Sequence, residues 1–289
     1  RICVEEGLDA VTAIRMATLN AAECFDLKDR GAIAPGYRAD VVLLDDLKDF
    51  HVNRVFIQGA LVAEEGKYIP EIKRYDISTV KGSVIVKDFS AEKFKMHLKS
   101  NKVNVIKILP GGVVTAKDTA EIQLDEKGEF VRNPEEDIVK VAVVERHQGT
   151  GNVACGFLKG YGIKAGAVAL SIAHDSHNII VVGVSDEEME FAVNSLIAQE
   201  GGMVLVKEGK VIESMPMPIA GLMSDQSGEW VDEKLTAIHA KAYEELGIAG
   251  DVEPVMTLCF MSLAVIPEVK LTDMGLFDVT TFSFIPVEA

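Results

Sequence analysis

The sequence contains no uninterrupted apolar stretch of membrane-spanning length, so no membrane-spanning helix is expected within these residues. It has no CxxC pair. Cys3, Cys24, Cys155 and Cys259 are scattered, each among apolar neighbours, which predicts free and mostly buried thiols in a reducing cytoplasm. Positive charge is scarce: 29 Lys and Arg stand against 45 Asp and Glu, a formal net charge of −16. That balance argues against nucleic-acid phosphate as a partner but leaves neutral small molecules open. Pro110-Gly111-Gly112 is not followed by Gly-Lys-Ser/Thr, so it is a turn and not a phosphate loop. The first residue is Arg1, and the opening residues do not form a signal peptide. Residues 1–7 read as a helix end with a glycine stop, so an upstream portion is expected.

What is present is a globular composition, 48% hydrophobic and 26% charged over 289 residues. That length supports one large domain or two ordinary ones. Leu8, Val11, Ile14 and Thr18 repeat at helical spacing. Residues 27–44 read as a loop, a Pro35-Gly36 turn and a buried strand ending in Val41-Val42-Leu43-Leu44. Residues 52–57 and 60–63 form a hairpin pattern around Gln58-Gly59. Strands are expected at 83–86, 103–109, 113–115 and 138–144, and a short helix after Ser90. Residues 152–161 are glycine-rich, with one helical turn expected at Phe157-Leu158. Polarity rises at Glu126-Lys127-Gly128-Glu129, where a domain boundary is expected, giving units 1–120 and 121–289.

Further on, Ser185-Asp186-Glu187-Glu188 is a capping box opening a helix that stops at Gly201-Gly202. Residues 203–206 and 210–213 flank a hairpin at Glu208-Gly209. Residues 215–224 are broken by Pro216 and Pro218, either as a core plug with adaptable methionines or as an apolar wall for a planar ligand. Val231, Leu235, Ile238, Ala242 and Leu246 form a helical stripe, with His239 off it and solvated. A strand-like run is expected at 255–266 and a terminal strand at 277–286.

The densest chemistry lies at 169–184. Two short apolar runs flank a polar knot, His174-Asp175-Ser176-His177-Asn178. Polar groups at a junction of buried strands lose water and must find partners. The knot is either a tight turn in which Asp175 and Asn178 bond their own backbone, or a loop that presents its groups to a ligand.

The knot followed by Ile179-Ile180-Val181-Val182-Gly183, with Arg146-His147-Gln148-Gly149-Thr150-Gly151-Asn152 upstream, resembles the C-terminal domain of bacterial adenine deaminases. Those enzymes are metal-dependent members of the amidohydrolase superfamily. Residues 17–22 and 31–40 resemble the amidohydrolase signature that follows the last strand of a (β/α)8 barrel, with Asn20-Ala21 where many relatives have Asn-Pro. Residues 216–224 and Val265-Ile266-Pro267 add further matches. The resemblance implies an α+β chain: the last barrel helix and β-sandwich strands, then an α+β adenine deaminase C-terminal domain. It also implies hydrolysis of adenine to hypoxanthine and ammonia.

In that family one or two divalent ions, manganese or iron, sit at the barrel mouth. The usual ligands include a His-x-His pair, which this sequence lacks, so the ligand set is expected before Arg1 and this chain alone is expected to be inactive. His147, His174 and His177 as a metal set is the weaker of two readings beside a non-metal role. The H-x-E and P-C-x-x-C signature of the zinc deaminases is also missing. Within this chain the resemblance points to His174, Asp175 and His177 as catalytic candidates. Asn178, His147 and Met217 are candidates for binding substrate. Adenine, the missing barrel portion and further copies in a homo-oligomer are the expected partners, in the cytoplasm, with neither nucleic acid nor membrane. The alternatives are another cyclic amidohydrolase, or a non-catalytic module that binds a ligand or builds an oligomer.

Overall fold

The computed structural model describes residues 1–289, in two units that divide at Tyr75/Asp76. The first begins with short helical turns, α1 (Ile2–Glu5), α2 (Ala10–Arg15) and α3 (Ala21–Cys24), the last two joined by a π-helical segment, Met16–Asn20. Asp9 caps α2 by accepting from the Thr12 amide at 2.9 Å. A four-stranded antiparallel sheet comes next: β1 (Val41–Leu44), β2 (Val52–Ile57), β3 (Ala60–Glu64) and β4 (Lys67–Tyr68), in that order. Asp40 accepts from the Gln58 amide at 2.8 Å, so this residue of the signature fixes a turn. Of residues 1–75 only Ala22 is buried, and Ile33, Phe25, Ile2 and Ile72 are largely exposed.

The second unit is built on one eight-stranded sheet. Its strands are β5 (Lys102–Ile108), β6 (Thr115–Glu121), β9 (Ile138–Val144), β10 (Val153–Lys159), β11 (Ala167–Leu170), β12 (Ile179–Gly183), β13 (Gly202–Lys207) and β14 (Lys210–Pro216). A minor hairpin, β7 (Gln123–Leu124) with β8 (Phe130–Val131), interrupts the series. The spatial order is β14-β13-β11-β12-β9-β10-β5-β6, antiparallel except where β10 runs parallel to β5.

Helices cover both faces. Val141, Val143, Val168, Leu170, Ile180, Val182 and Leu205 point to the side of α5 (Gly228–Glu244), which contributes Ile238 and Ala242. Ala142, Val144, Ala169, Val181, Val204 and Val206 point to the side of α4 (Asp186–Ala198), which contributes Met189, Ala192, Val193 and Leu196. Neighbouring residues of a strand face opposite sides, so a strand covered on both reads as a continuous apolar run. A three-stranded antiparallel sheet, β15 (Val269–Thr272), β16 (Gly275–Asp278) and β17 (Ser283–Phe284), adds Leu271 and Leu276 to the α5 side.

Several expectations are corrected. The boundary near residue 120 is not there: β5 and β6 belong to the large sheet, with Leu158 of β10 opposite Ile106 of β5. The polar stretch at 126–129 is a turn, in which Asp125 accepts from the Lys127 and Glu129 amides at 2.8 Å each. Residues 153–159 are strand and not a helical turn, pairing with β9 along their whole length. The run expected as strand from Val255 is helical, α6 (Pro254–Cys259), begun by Pro254 at its first turn and by Glu253 accepting from the Met256 amide. Residues 83–86 form no strand, although the Ile85 amide bonds the Arg146 carbonyl at 2.8 Å. Ser185 caps α4 as expected, but the Glu188 carboxylate accepts from the Gly209 amide instead of reaching back. Cys3 and Cys24 are exposed, so the thiols are not mostly buried.

This distribution of burial has two measurable outcomes. Limited proteolysis of the chain should consume residues 1–75 and leave a resistant fragment starting near Asp76; survival of an intact amino-terminal segment would contradict it. Lys270 is fully buried and donates to the Val113 carbonyl at 3.0 Å, and burial pushes its pKa down to about 8. A folded pKa below the unfolded value means that unfolding takes up a proton between those two values, so stability gains with pH from about 8 to about 10.4. Denaturant midpoints at pH 8 and pH 10 should show this gain in the wild type relative to Lys270→Met, and an equal pH response in both would refute it.

Candidate functional site

The register brings one end of the large sheet to a single place. Val144, the last residue of β9, lies opposite Ile179 at the start of β12 and Val153 at the start of β10. Leu170 closes β11 opposite Met203, and Gly202 pairs with Pro216. The segments 145–152, 171–178 and 217–224 therefore leave the same end of the sheet, the first two from fully buried strands and the third from the edge strand β14.

Consecutive residues organise this end. Glu145 is buried, and its carboxylate accepts from the amides of His147 (2.5 Å), Gln148 (2.8 Å) and Thr150 (2.9 Å) and from the Thr150 hydroxyl (3.1 Å). Burial pushes its pKa up, but these donors outweigh burial and hold it at about 2. Arg146 is 1% exposed. Its Nε donates to the His177 carbonyl and its Nη2 to the Ala220 carbonyl at 3.2 Å, while Nη1 has no protein partner. Ser171, also buried, accepts from the Gly202 amide at 2.7 Å and donates to the Gly221 carbonyl at 2.5 Å.

The knot is a loop between β11 and β12 in which neither Asp175 nor Asn178 bonds its own backbone. Asn178 is buried; its Oδ1 accepts from the Arg146 amide at 3.3 Å and its Nδ2 donates to Asp273 at 3.2 Å. Asp175 is exposed with no hydrogen-bond partner in the protein. The His174 ring lies 4.8 Å from Phe260 and 5.3 Å from His177 between centroids. His177 has a positive φ of 52°, and its Nδ1 is buried without a partner. Burial, the neighbouring His174 and Arg146 lower its pKa and favour the neutral ring.

Of the sequence candidates, His147, His174, Asp175, His177 and Asn178 share this end of the sheet. His147 Nε2 meets the Ser176 carbonyl at 2.7 Å, which joins the 145–152 loop to the knot. Met217 is different. It is 7% exposed and packs in the apolar core with Met215, as a core plug. His239, expected to be solvated, pairs with Glu253. Glu145, Arg146 and Asp273 were not singled out as site residues. The signal for the first two was present: a Glu-Arg pair directly after a buried seven-residue strand that is apolar but for Lys140.

The chain does not fit the metal centre that the resemblance implies. Asp45, His51 and Glu65 are the one set of three side chains whose ligand atoms lie within 4.8 Å of one another, and all three are exposed, with Asn53 donating to both carboxylates. The set belongs to the first unit, outside the knot, and contains one histidine where the family's centre uses a His-x-His pair and more.

Comparison with known proteins gives the class first. Residues 1–62 match the amidohydrolase family, and residues 112–283, more than half of the chain, match the adenine deaminase C-terminal domain. The chain belongs to the family defined by that C-terminal domain. It is 66% identical over 289 residues to a protein named adenine deaminase 2 from Desulfotalea psychrophila, covering 100% of this chain and 50% of that protein. It is 50% identical over 288 residues to an adenine deaminase from Ligilactobacillus salivarius, again 100% and 50%. To an adenine deaminase 2 from Carboxydothermus hydrogenoformans it is 46% identical over 287 residues, 99% and 50%. The chain spans about half the length of the curated relatives it matches.

The Glu145 cage has a consequence in acid. Its folded pKa lies below the unfolded value, so its stabilisation is present above about 4.3 and fades as the pH falls toward 2. Urea midpoints should fall more steeply over that window in the wild type than in Glu145→Gln. Parallel pH profiles would show that the cage carries no stability.

Proposed function

We propose that the protein of which this chain forms about half hydrolyses adenine to hypoxanthine and ammonia, and that the knot faces the substrate. The observation that carries the reading is the near-complete match of this chain to proteins named adenine deaminase at up to 66% identity. In the reaction a water oxygen bonds to C6 of the purine and the exocyclic amine leaves as ammonia. One proton of that water ends on the departing amine.

This chain's share is a wall of hydrogen-bonding groups at one end of a rigid sheet. The free groups are the His174 and His177 rings and the Asp175 carboxylate. A neutral imidazole and a carboxylate can accept protons or meet the donor edge of a purine. His147 and Asn178 already bind protein and set the shape of the wall. The divalent ion of the amidohydrolase family, manganese or iron, is assigned to the other half of the protein, since the ligands are not in this one.

Adenine, that other half and further copies of the protein are the partners in this reading. Free cysteines suit a cytoplasmic setting. No helix of the structure is long and apolar enough to cross a membrane.

The test uses the whole protein loaded with manganese, iron or zinc in turn, following ammonia release from adenine. The whole protein should turn over and this chain alone should not; activity of the purified chain, or none from the whole protein, would reject the reading. For the knot the variant is His177→Asn, because Asn tolerates the positive φ at this position better than most residues. kcat/KM should fall by about 10²-fold, with little change in Tm. A lowered Tm with normal kinetics in the folded enzyme would make the knot a structural turn only.

A further inference from the structure

We propose that Arg146 is the positioning residue of this site, fixing the knot and the 217–224 segment relative to each other through their carbonyls. The kinetic part of this proposal rests on the function proposed above; the structural part does not.

Arg146 is a buried cation without a carboxylate partner. Its neighbour Glu145 spends both oxygens on the 147–150 loop. The guanidinium instead donates to the His177 carbonyl in the knot and the Ala220 carbonyl in the other segment. Core packing alone favours an apolar side chain here, since a buried charge loses its water and repays little without a counter-ion. A planar fork of donors that stays charged when buried suits one task well, which is to hold two acceptors at a fixed separation.

The surroundings are shaped to the guanidinium. The Arg146 amide bonds the Asn178 side chain, and its carbonyl takes the Ile85 amide, so its own backbone is anchored on both sides. Gly221 has a φ of +71°, and a Cβ there would stand 2.7 Å from Nη1. The absence of a side chain at 221 therefore leaves room for the fork. Ser171 holds the Gly221 carbonyl from the other side. Two adjacent carbonyls, those of Ala220 and Gly221, are thus gripped by residues at the ends of two different strands. His177, one of the free groups of the wall, is gripped through its own carbonyl.

Arg146→Lys keeps the charge and loses the fork; Gly221→Ala keeps the arginine and displaces it. Hydrogen exchange on this chain should show reduced protection at the His177 and Met223 amides in both variants, with unchanged protection at Val141 and Val181 in the sheet. In the whole protein both variants should raise KM for adenine by about 10-fold or more while kcat falls less than about 3-fold. Unchanged loop protection overturns the proposal. So does loss of protection throughout the sheet in both variants, which would make Arg146 a core residue. Altered loop protection with normal KM and kcat in an active whole protein also overturns it. If the wild-type whole protein does not act on adenine, the proposed function fails, and the exchange result alone decides the role of Arg146.

Discussion

A sheet covered on both faces has no place for a polar side chain except beyond the ends of its strands. In the second unit, α4 covers β11, β12 and β13 on one face, while on the other α5 lies over β13 and β14, α6 over β11 and the third sheet over β9 and β10, and every residue of β9 is buried. The exception within β9, Lys140, donates to the Phe94 carbonyl and to Asp186 at the start of α4. In β9, β11 and β12 this constraint sends the other polar chemistry to the strand termini. Because the register aligns the termini of β9, β11 and β12, it also concentrates that chemistry at one end.

There the chain separates two charges that adjoin in sequence. Glu145 turns to backbone amides and Arg146 to backbone carbonyls, so each ion is neutralised by peptide dipoles of opposite sense and not by the other. Such an arrangement commits both side chains to shaping loops. The imidazoles of His174 and His177 and the carboxylate of Asp175 are left outside these networks. The partners differ accordingly: both Glu145 oxygens and two Arg146 nitrogens are engaged by backbone groups, while His177 Nδ1 and the Asp175 carboxylate have no hydrogen-bond partner in the protein.

Most of this was legible where the pattern was strong. The two apolar runs around the knot are strands, the Ser185 cap is in place, and the α5 stripe faces the core. The resemblance carried by residues 17–40, 146–152 and 174–183 agrees with both family matches. What was misread has local physical causes. A continuous apolar run does not distinguish a buried strand from a buried helix, so α6 was hidden until its Glu253 cap was seen. A polar turn at 126–129 looked like a boundary because sequence does not reveal that β5 returns beside β10. Met217 fitted either a core plug or an apolar wall for a planar ligand, because both need the same buried apolar surface, and the core closes over it. Arg146 was hardest to see, because its partners are carbonyls that every residue has.

The pairing of β5 with β10 bears on how the unit assembles. β11 pairs with β12 across an eight-residue loop, whereas β5 pairs with β10, a strand some fifty residues further on. The start of β5 is then bound by the segment around Glu288, whose carbonyl and carboxylate meet Asn104, Lys99 and Ser100. Loop closure over such separations slows folding more than local propensity speeds it. The β5–β6 hairpin is local, but its docking on β10 joins distant parts of the unit, so this edge is a seam closed by residues from both ends of the unit.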